Sequence, residues 1–168
     1  MVFDDARVSA ANMIGEPGEG WRIAMTIVSH EREPGELGYV ARYTKTVKEL
    51  EGQVRADPAV FRAGQREAVA WAHVQAEMLR LHVCRRLSER LDGIEHGPDG
   101  SIDKLLMTWV EQSVGDAALD ISGAQAAVDP DDVGLKIYLY GRAQSVMGGT
   151  SQIQKNIVAT RILGLPTA

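Results

Sequence analysis

Apolar residues recur along this chain at helical spacings, and the breaks between them fall at proline and glycine. After the turn signal Pro17-Gly18-Glu19-Gly20, Trp21, Met25 and Val28 share one side of a helix predicted over 21–30. Pro34 and Gly35 interrupt, because proline removes a helical donor and clashes with the preceding turn, so a break is expected near Glu33. The pattern resumes over 37–54 with Val40, Val47 and Leu50 apolar. Asp57-Pro58 looks like a helix start, an aspartate cap followed by proline at the first position. Ala68, Ala72, Ala76, Leu79, Val83, Leu87 and Leu91 then follow at steps of four, four, three, four, four and four, a stripe along one long helix. Gly93 and Gly97-Pro98 end it.

Ser101 is the expected cap of the next helix, with Asp103 favourable in its first turn and an apolar stripe of Ile102, Leu105, Leu106, Trp109, Val110, Ala117 and Ile121. Asp129-Pro130 repeats the aspartate–proline start before a helix over 133–146, weakened by Gly134 and Gly141. Thr150 or Ser151 caps a last helix through Ile153, Ile157 and Ile162, closed by Gly164 and Pro166. Only Val2–Val8 alternates loosely enough to suggest a strand, and it has no candidate strand partner. The pattern predicts an all-α fold: an up-and-down bundle of about four to five helices, with a short extended N-terminal segment.

Composition narrows the function classes. At 168 residues, 45% apolar and 24% charged, the chain has ordinary values for one globular domain. A net charge of −5, with acidic residues interrupting the densest basic run (Arg85, Arg86, Arg90), argues against nucleic acid. The lone Cys84 permits no internal disulfide, which suits a cytoplasmic protein, and its apolar neighbourhood reads as a buried small hydrophobe. No apolar run reaches the ~18 residues of a membrane span, and no secretory leader pattern is present.

Spacing alone says little about chemistry. His30, His73, His82 and His96 lack metal-ligand spacing, and no paired Glu-x-x-His motif occurs, so no metal is expected. Gly148-Gly149-Thr150-Ser151 before a helix could cradle an anion or a polar cofactor edge, or could simply be a tight capped turn. Glu31, at the expected helix break, is either a surface carboxylate or one held in an unusual environment.

The last third carries a resemblance. Gly148-Gly149-Thr150-Ser151-Gln152-Ile153-Gln154-Lys155-Asn156-Ile157, followed by Arg161-Ile162-Leu163-Gly164-Leu165-Pro166, resembles the C-terminal signature of acyl-CoA dehydrogenases. At the other end, Val2–Val8 with Gly15–Trp21 is similar to the family's passage out of its middle β-domain, and Ser29-His30-Glu31-Arg32 to its first C-terminal helix. The resemblance implies a remnant of the middle domain and linker over 1–20 and a C-terminal helical bundle over 21–168.

It implies more about function. Members are FAD flavoenzymes of fatty acid and lipid metabolism. They oxidise acyl-CoA thioesters to 2,3-enoyl-CoA and usually pass electrons to an electron-transferring flavoprotein. One group carries its base as a glutamate just before the Gly-Thr of the last helix, where this chain has Gly148. Another carries it before the arginine of the first C-terminal helix, which is Glu31 here. By the same matching, Arg32 meets substrate, and Thr150 and Gln152 meet FAD. The Arg-x-x-Phe-Gly segment of many members is missing over 53–61, and the glycine-rich segment near Ser122-Gly123-Ala124 is reduced. These departures suggest an alternative: a non-catalytic partner subunit or interaction module of a heteromeric dehydrogenase. Homo- or hetero-oligomers are expected either way, and the domain is not expected to catalyse alone.

Overall fold

A computed structural model describes residues 2–31, 35–94 and 97–166, without the side chains of 29–31, 35 and 36. Its described residues form six helices: α1 (Gly20–Glu31), α2 (Gly35–Ala56), α3 (Ala63–Leu91), α4 (Gly100–Ser122), α5 (Val133–Gln144) and α6 (Ser151–Ile157). A π-helical turn, Val158–Ile162, extends α6. The fold is all-α, as the apolar spacing predicts. The break expected near Glu33 lies outside the described residues.

Helices α2, α3 and α4 pack on one another, and α4 also carries α5 and α6. The core lies between the first three: Tyr43, Val47 and Leu50 of α2; Val69, Ala72, Ala76, Leu79 and Val83 of α3; Val110, Val114, Ala117 and Ala118 of α4. The alanines at the centre let the helix backbones approach closely.

Several sequence expectations change at this level. Val2–Val8 forms no strand; none occurs among the described residues, and Val2, Phe3 and Val8 are exposed. A strand must satisfy its backbone groups on a neighbour, and no described segment supplies one. Asp57-Pro58 does not start a helix. Asp57 Oδ1 instead accepts from the Ala59 N–H at 3.3 Å in a turn, and α3 begins at Ala63. Asp129 behaves likewise, accepting from the Asp131 N–H, while Asp132 caps α5 through the Leu135 N–H at 2.7 Å. Asp99, not Ser101, precedes α4, and Ser101 is buried.

The buried row of α3 is Gln65, Val69, Ala72, Ala76, Leu79, Val83 and Arg86, so Leu87 and Leu91 turn outward. Steps alternating three and four hold to one face of a helix, whereas repeated steps of four wind off it. Cys84 lies one position off that row and is exposed, not buried. Along α4, Ile102 and Trp109 are exposed, while Asp103, Lys104, Thr108 and Glu111 are buried. As the central helix, α4 turns polar side chains inward toward its neighbours.

The glycines that weaken α5 as an isolated helix have a packing reason. A Cβ on Gly134 would lie 2.6 Å from the Ala118 carbonyl oxygen, and one on Gly141 3.3 Å from Glu111 Cγ. On the facing helix, a Cβ on Gly115 would lie 3.1 Å from Tyr138 Cα. Together they let α4 and α5 cross at backbone contact.

Candidate functional site

The turn between α5 and α6 is held by several hydrogen bonds. Gly148 and Gly149 adopt φ values of +63° and +97°, which L side chains rarely adopt. Thr150 is the N-cap of α6, its hydroxyl accepting from the Ile153 N–H at 3.3 Å. The Ser151 N–H donates to the Ser145 carbonyl at 3.0 Å, closing the turn. Gln154 is fully buried, and its side-chain amide donates to the Gly148 carbonyl at 2.9 Å. From α4, the Lys104 ammonium donates to the Gln144 carbonyl at the end of α5 and, at 3.1 Å, to Thr108 Oγ1.

Of the residues singled out in the sequence, Thr150 closes this turn and Gln152 follows in the first turn of α6, Thr150 half-buried and Gln152 exposed. The Thr150 hydroxyl accepts the capping bond and keeps its own proton to donate. Glu31 is the last residue of α1; its side chain and all of Arg32 lie outside the described residues. Gly148 occupies the turn and supplies no carboxylate.

Two further polar clusters escaped the sequence reading. Glu111, buried on α4, accepts from Tyr43 Oη and from the Arg42 guanidinium. Arg42 lies 5.0 Å from the Tyr39 ring centroid and 5.1 Å from those of Tyr43 and Tyr140, a three-sided cation–π arrangement. Burial, and after it the hydrogen bond to Glu111 and that carboxylate's charge, push the Tyr43 phenol well above its ordinary range. Burial alone would lower Arg42, but Glu111, with the Tyr43 and Tyr140 hydroxyls, outweighs it and raises the guanidinium above its usual value. In the first turn of α4, Asp103 bridges His82 (2.5 Å) and Arg86 (3.2 Å) of α3. The available signal was polar residues recurring at three- and four-residue steps along α4 (Lys104, Thr108, Glu111), where the apolar stripe drew attention to the opposite side. Among the described residues, no group of three or more potential ligands could hold a metal ion, and no helix is long and apolar enough to cross a membrane.

The profile of the family described as "Acyl-CoA dehydrogenase, C-terminal domain" matches residues 18–163. The chain belongs to this family. Across 99% of its length it is 33% identical to the acyl-CoA dehydrogenase IpdE1 of Mycobacterium tuberculosis and covers 43% of that protein. The IpdE1 of Mycolicibacterium smegmatis is 32% identical, with 42% of its length covered. A solved structure titled "Tcur3481-Tcur3483 steroid ACAD" superposes with a TM-score of 0.82 over 99% of this chain and 45% of that one, at 22% identity, which speaks for the fold alone. This acyl-CoA dehydrogenase domain thus spans less than half the length of the relatives it matches. The glycine turn, Thr150, Gln152 and Glu31 all lie within the family-matched residues.

Proposed function

We propose that this domain works within a FAD-dependent acyl-CoA dehydrogenase that removes hydrogen from the α and β carbons of an acyl-CoA thioester. Residues 1–20 then mark the end of a preceding β-domain, and 21–168 form the bundle that closes the active site. The observation that carries the reading is the α5–α6 turn: a glycine pair at positive φ that presents a half-buried hydroxyl (Thr150) and an exposed amide (Gln152) inside a family-matched bundle.

These residues fit a flavin edge. A Cβ on Gly148 would meet only the far end of Lys104, at 3.9 Å, so the turn leaves a planar polar group room to approach. Thr150 has a hydroxyl proton to donate, and Gln152 offers both a donor and an acceptor. FAD, when bound, supplies the acceptor for the hydride leaving the β-carbon. Glu31, at the end of α1, takes the α-proton onto a carboxylate oxygen, and Arg32 holds the substrate beside it. A thioester α-proton is weakly acidic, so its removal needs a base held within hydrogen-bond reach, away from competing water. The partner that would accept the electrons is an electron-transferring flavoprotein. The setting is the cytoplasm and the pathway lipid metabolism.

One observation favours a second reading, that the domain belongs to a silent partner in a mixed assembly. Trp71, Met78 and Trp109 stand exposed along one apolar groove between α3 and α4, a surface suited to covering by another subunit. A homo- or hetero-oligomer follows from either reading. The test is flavin absorbance of the intact, FAD-loaded dehydrogenase during anaerobic addition of acyl-CoA thioesters of several sizes. Bleaching with one of them supports the enzyme; a flavin that stays oxidised with every one, or a protein that holds no flavin, moves the partner reading ahead.

A further inference from the structure

Lys104 is a lysine in the interior, 6% exposed, in the first turns of α4. Burying an ammonium is costly unless strong acceptors replace its water, so its partners are informative. They include the carbonyl of Gln144, the last residue of α5, and the hydroxyl of Thr108, one turn along α4. The last carbonyls of a helix have no intrahelical donor and lie at the negative end of the helix dipole. Lys104 therefore acts as a cationic cap for α5, delivered from a neighbouring helix. Its stem passes beneath the turn, with Cε 3.9 Å from where a Gly148 Cβ would stand. Gln154 also holds this turn, its amide donating to the Gly148 carbonyl at 2.9 Å.

We propose that Lys104 is a positioning residue: by fixing the end of α5 and the floor of the glycine turn, it sets the geometry in which Thr150 and Gln152 meet the flavin. The functional half of this statement rests on the flavin reading above; the structural half does not. The ammonium holds α5 at Gln144, the Ser151-to-Ser145 hydrogen bond closes the loop that follows, and Thr150 is the next residue at that closure. Without the cation, the Gln144 carbonyl loses its strongest donor and both glycines regain freedom that the turn now denies them.

The experiment is amide hydrogen exchange by NMR on the flavin-free 168-residue chain, comparing wild type with Lys104→Met and Lys104→Arg. Exchange at Ser151 and Gln154 is expected to accelerate in Lys104→Met by about tenfold beyond any acceleration at Val69 and Ala72 in the α3 core, since local openings are independent of global ones. Lys104→Arg, which keeps a cation able to reach the carbonyl, is expected to restore most of the protection. Equal acceleration at the turn and in the core would mean that Lys104 only stabilises the bundle, and would overturn the proposal, as would an unchanged turn. If Lys104→Met does not fold, Thr108→Val, which removes the hydroxyl beside the ammonium, is read by the same comparison. The flavin reading fails separately, if replacing Thr150 and Gln152 leaves FAD affinity of the intact dehydrogenase unchanged.

Discussion

Replacing Gly134 by alanine tests the close crossing of α4 and α5, and the sign of the effect is the informative part. In an exposed helix interior, glycine-to-alanine is stabilising by about 1 kcal/mol, because alanine costs less backbone entropy. At Gly134 the new methyl would lie 2.6 Å from the Ala118 carbonyl oxygen, 2.9 Å from its carbon and 2.4 Å from Ser122 Oγ. The serine can rotate away; the α4 backbone cannot, so the helices must separate. Overpacking of this kind costs ~1–3 kcal/mol, and a rigid backbone obstacle belongs at the upper end. The net expectation is a loss of about 2 kcal/mol, which for a domain of this size lowers Tm by roughly 4–8 °C. Gly52, exposed near the end of α2, is the control, because an added methyl there would meet nothing within 4 Å. Gly52→Ala is expected to raise Tm by roughly 2–4 °C. Thermal melts followed by the helical circular dichroism signal read both variants. If Gly134→Ala raised Tm as Gly52→Ala does, the close α4–α5 crossing would be wrong.

Two further predictions concern the polar interior and the turn. Tyr43→Phe removes the phenol that donates to buried Glu111 and is expected to cost about 2 kcal/mol in chemical denaturation, as for a hydrogen bond to a charged group. It also changes the pH response. The Tyr43 phenol is raised when folded, by burial first and then by Glu111, while the unfolded phenol ionises near its ordinary value of about 10. The stability linked to the neutral phenol is therefore full below pH ~10 and is lost as pH rises from there toward the folded value. Denaturation midpoints measured from about pH 8 to about pH 11 should fall at the alkaline end in wild type and less steeply in Tyr43→Phe; parallel curves would contradict this. Thr150→Ala removes the cap of α6 and is expected to cost about 1 kcal/mol, with Thr150→Ser nearly neutral; equal losses in both would mean that the hydroxyl does not cap.

The all-α class was legible because helical spacing is a long-range signal repeated over many residues, and the turns fell near the glycines and prolines. Boundaries were harder. Asp57-Pro58 and Asp129-Pro130 carry the chemistry of a helix start, yet their carboxylates cap local turns, and the helices begin later, at Ala63 and Val133. Val2–Val8 alternates like a strand, but strand formation depends on a partner that periodicity cannot supply. Inside the bundle, the reading of α4 placed Leu106, Val110, Ala117 and Ile121 at the core but missed its buried polar row, for a physical reason. Periodicity points apolar residues inward, whereas α4 buries Lys104, Thr108 and Glu111, whose cost is offset by partners on α2 and α5 distant in sequence. Arg42 lies 69 residues from Glu111, and no local pattern announces that pair. The turn at Gly148–Gln152 was found because its motif is contiguous. The structural cause of its shape, Lys104, was not, because it comes from another helix.

Single-turnover flavin bleaching tests most directly the proposed role of Glu31 as the base of an acyl-CoA dehydrogenase. The intact FAD-loaded dehydrogenase and its Glu31→Gln variant are mixed anaerobically with an acyl-CoA that bleaches the wild-type flavin. Glutamine keeps the shape of the side chain but cannot take the α-proton. The predicted result is bleaching slowed by about 10³-fold or more, with FAD bound and its oxidised spectrum unchanged. Bleaching at the wild-type rate would contradict the assignment and place the base elsewhere in the protein.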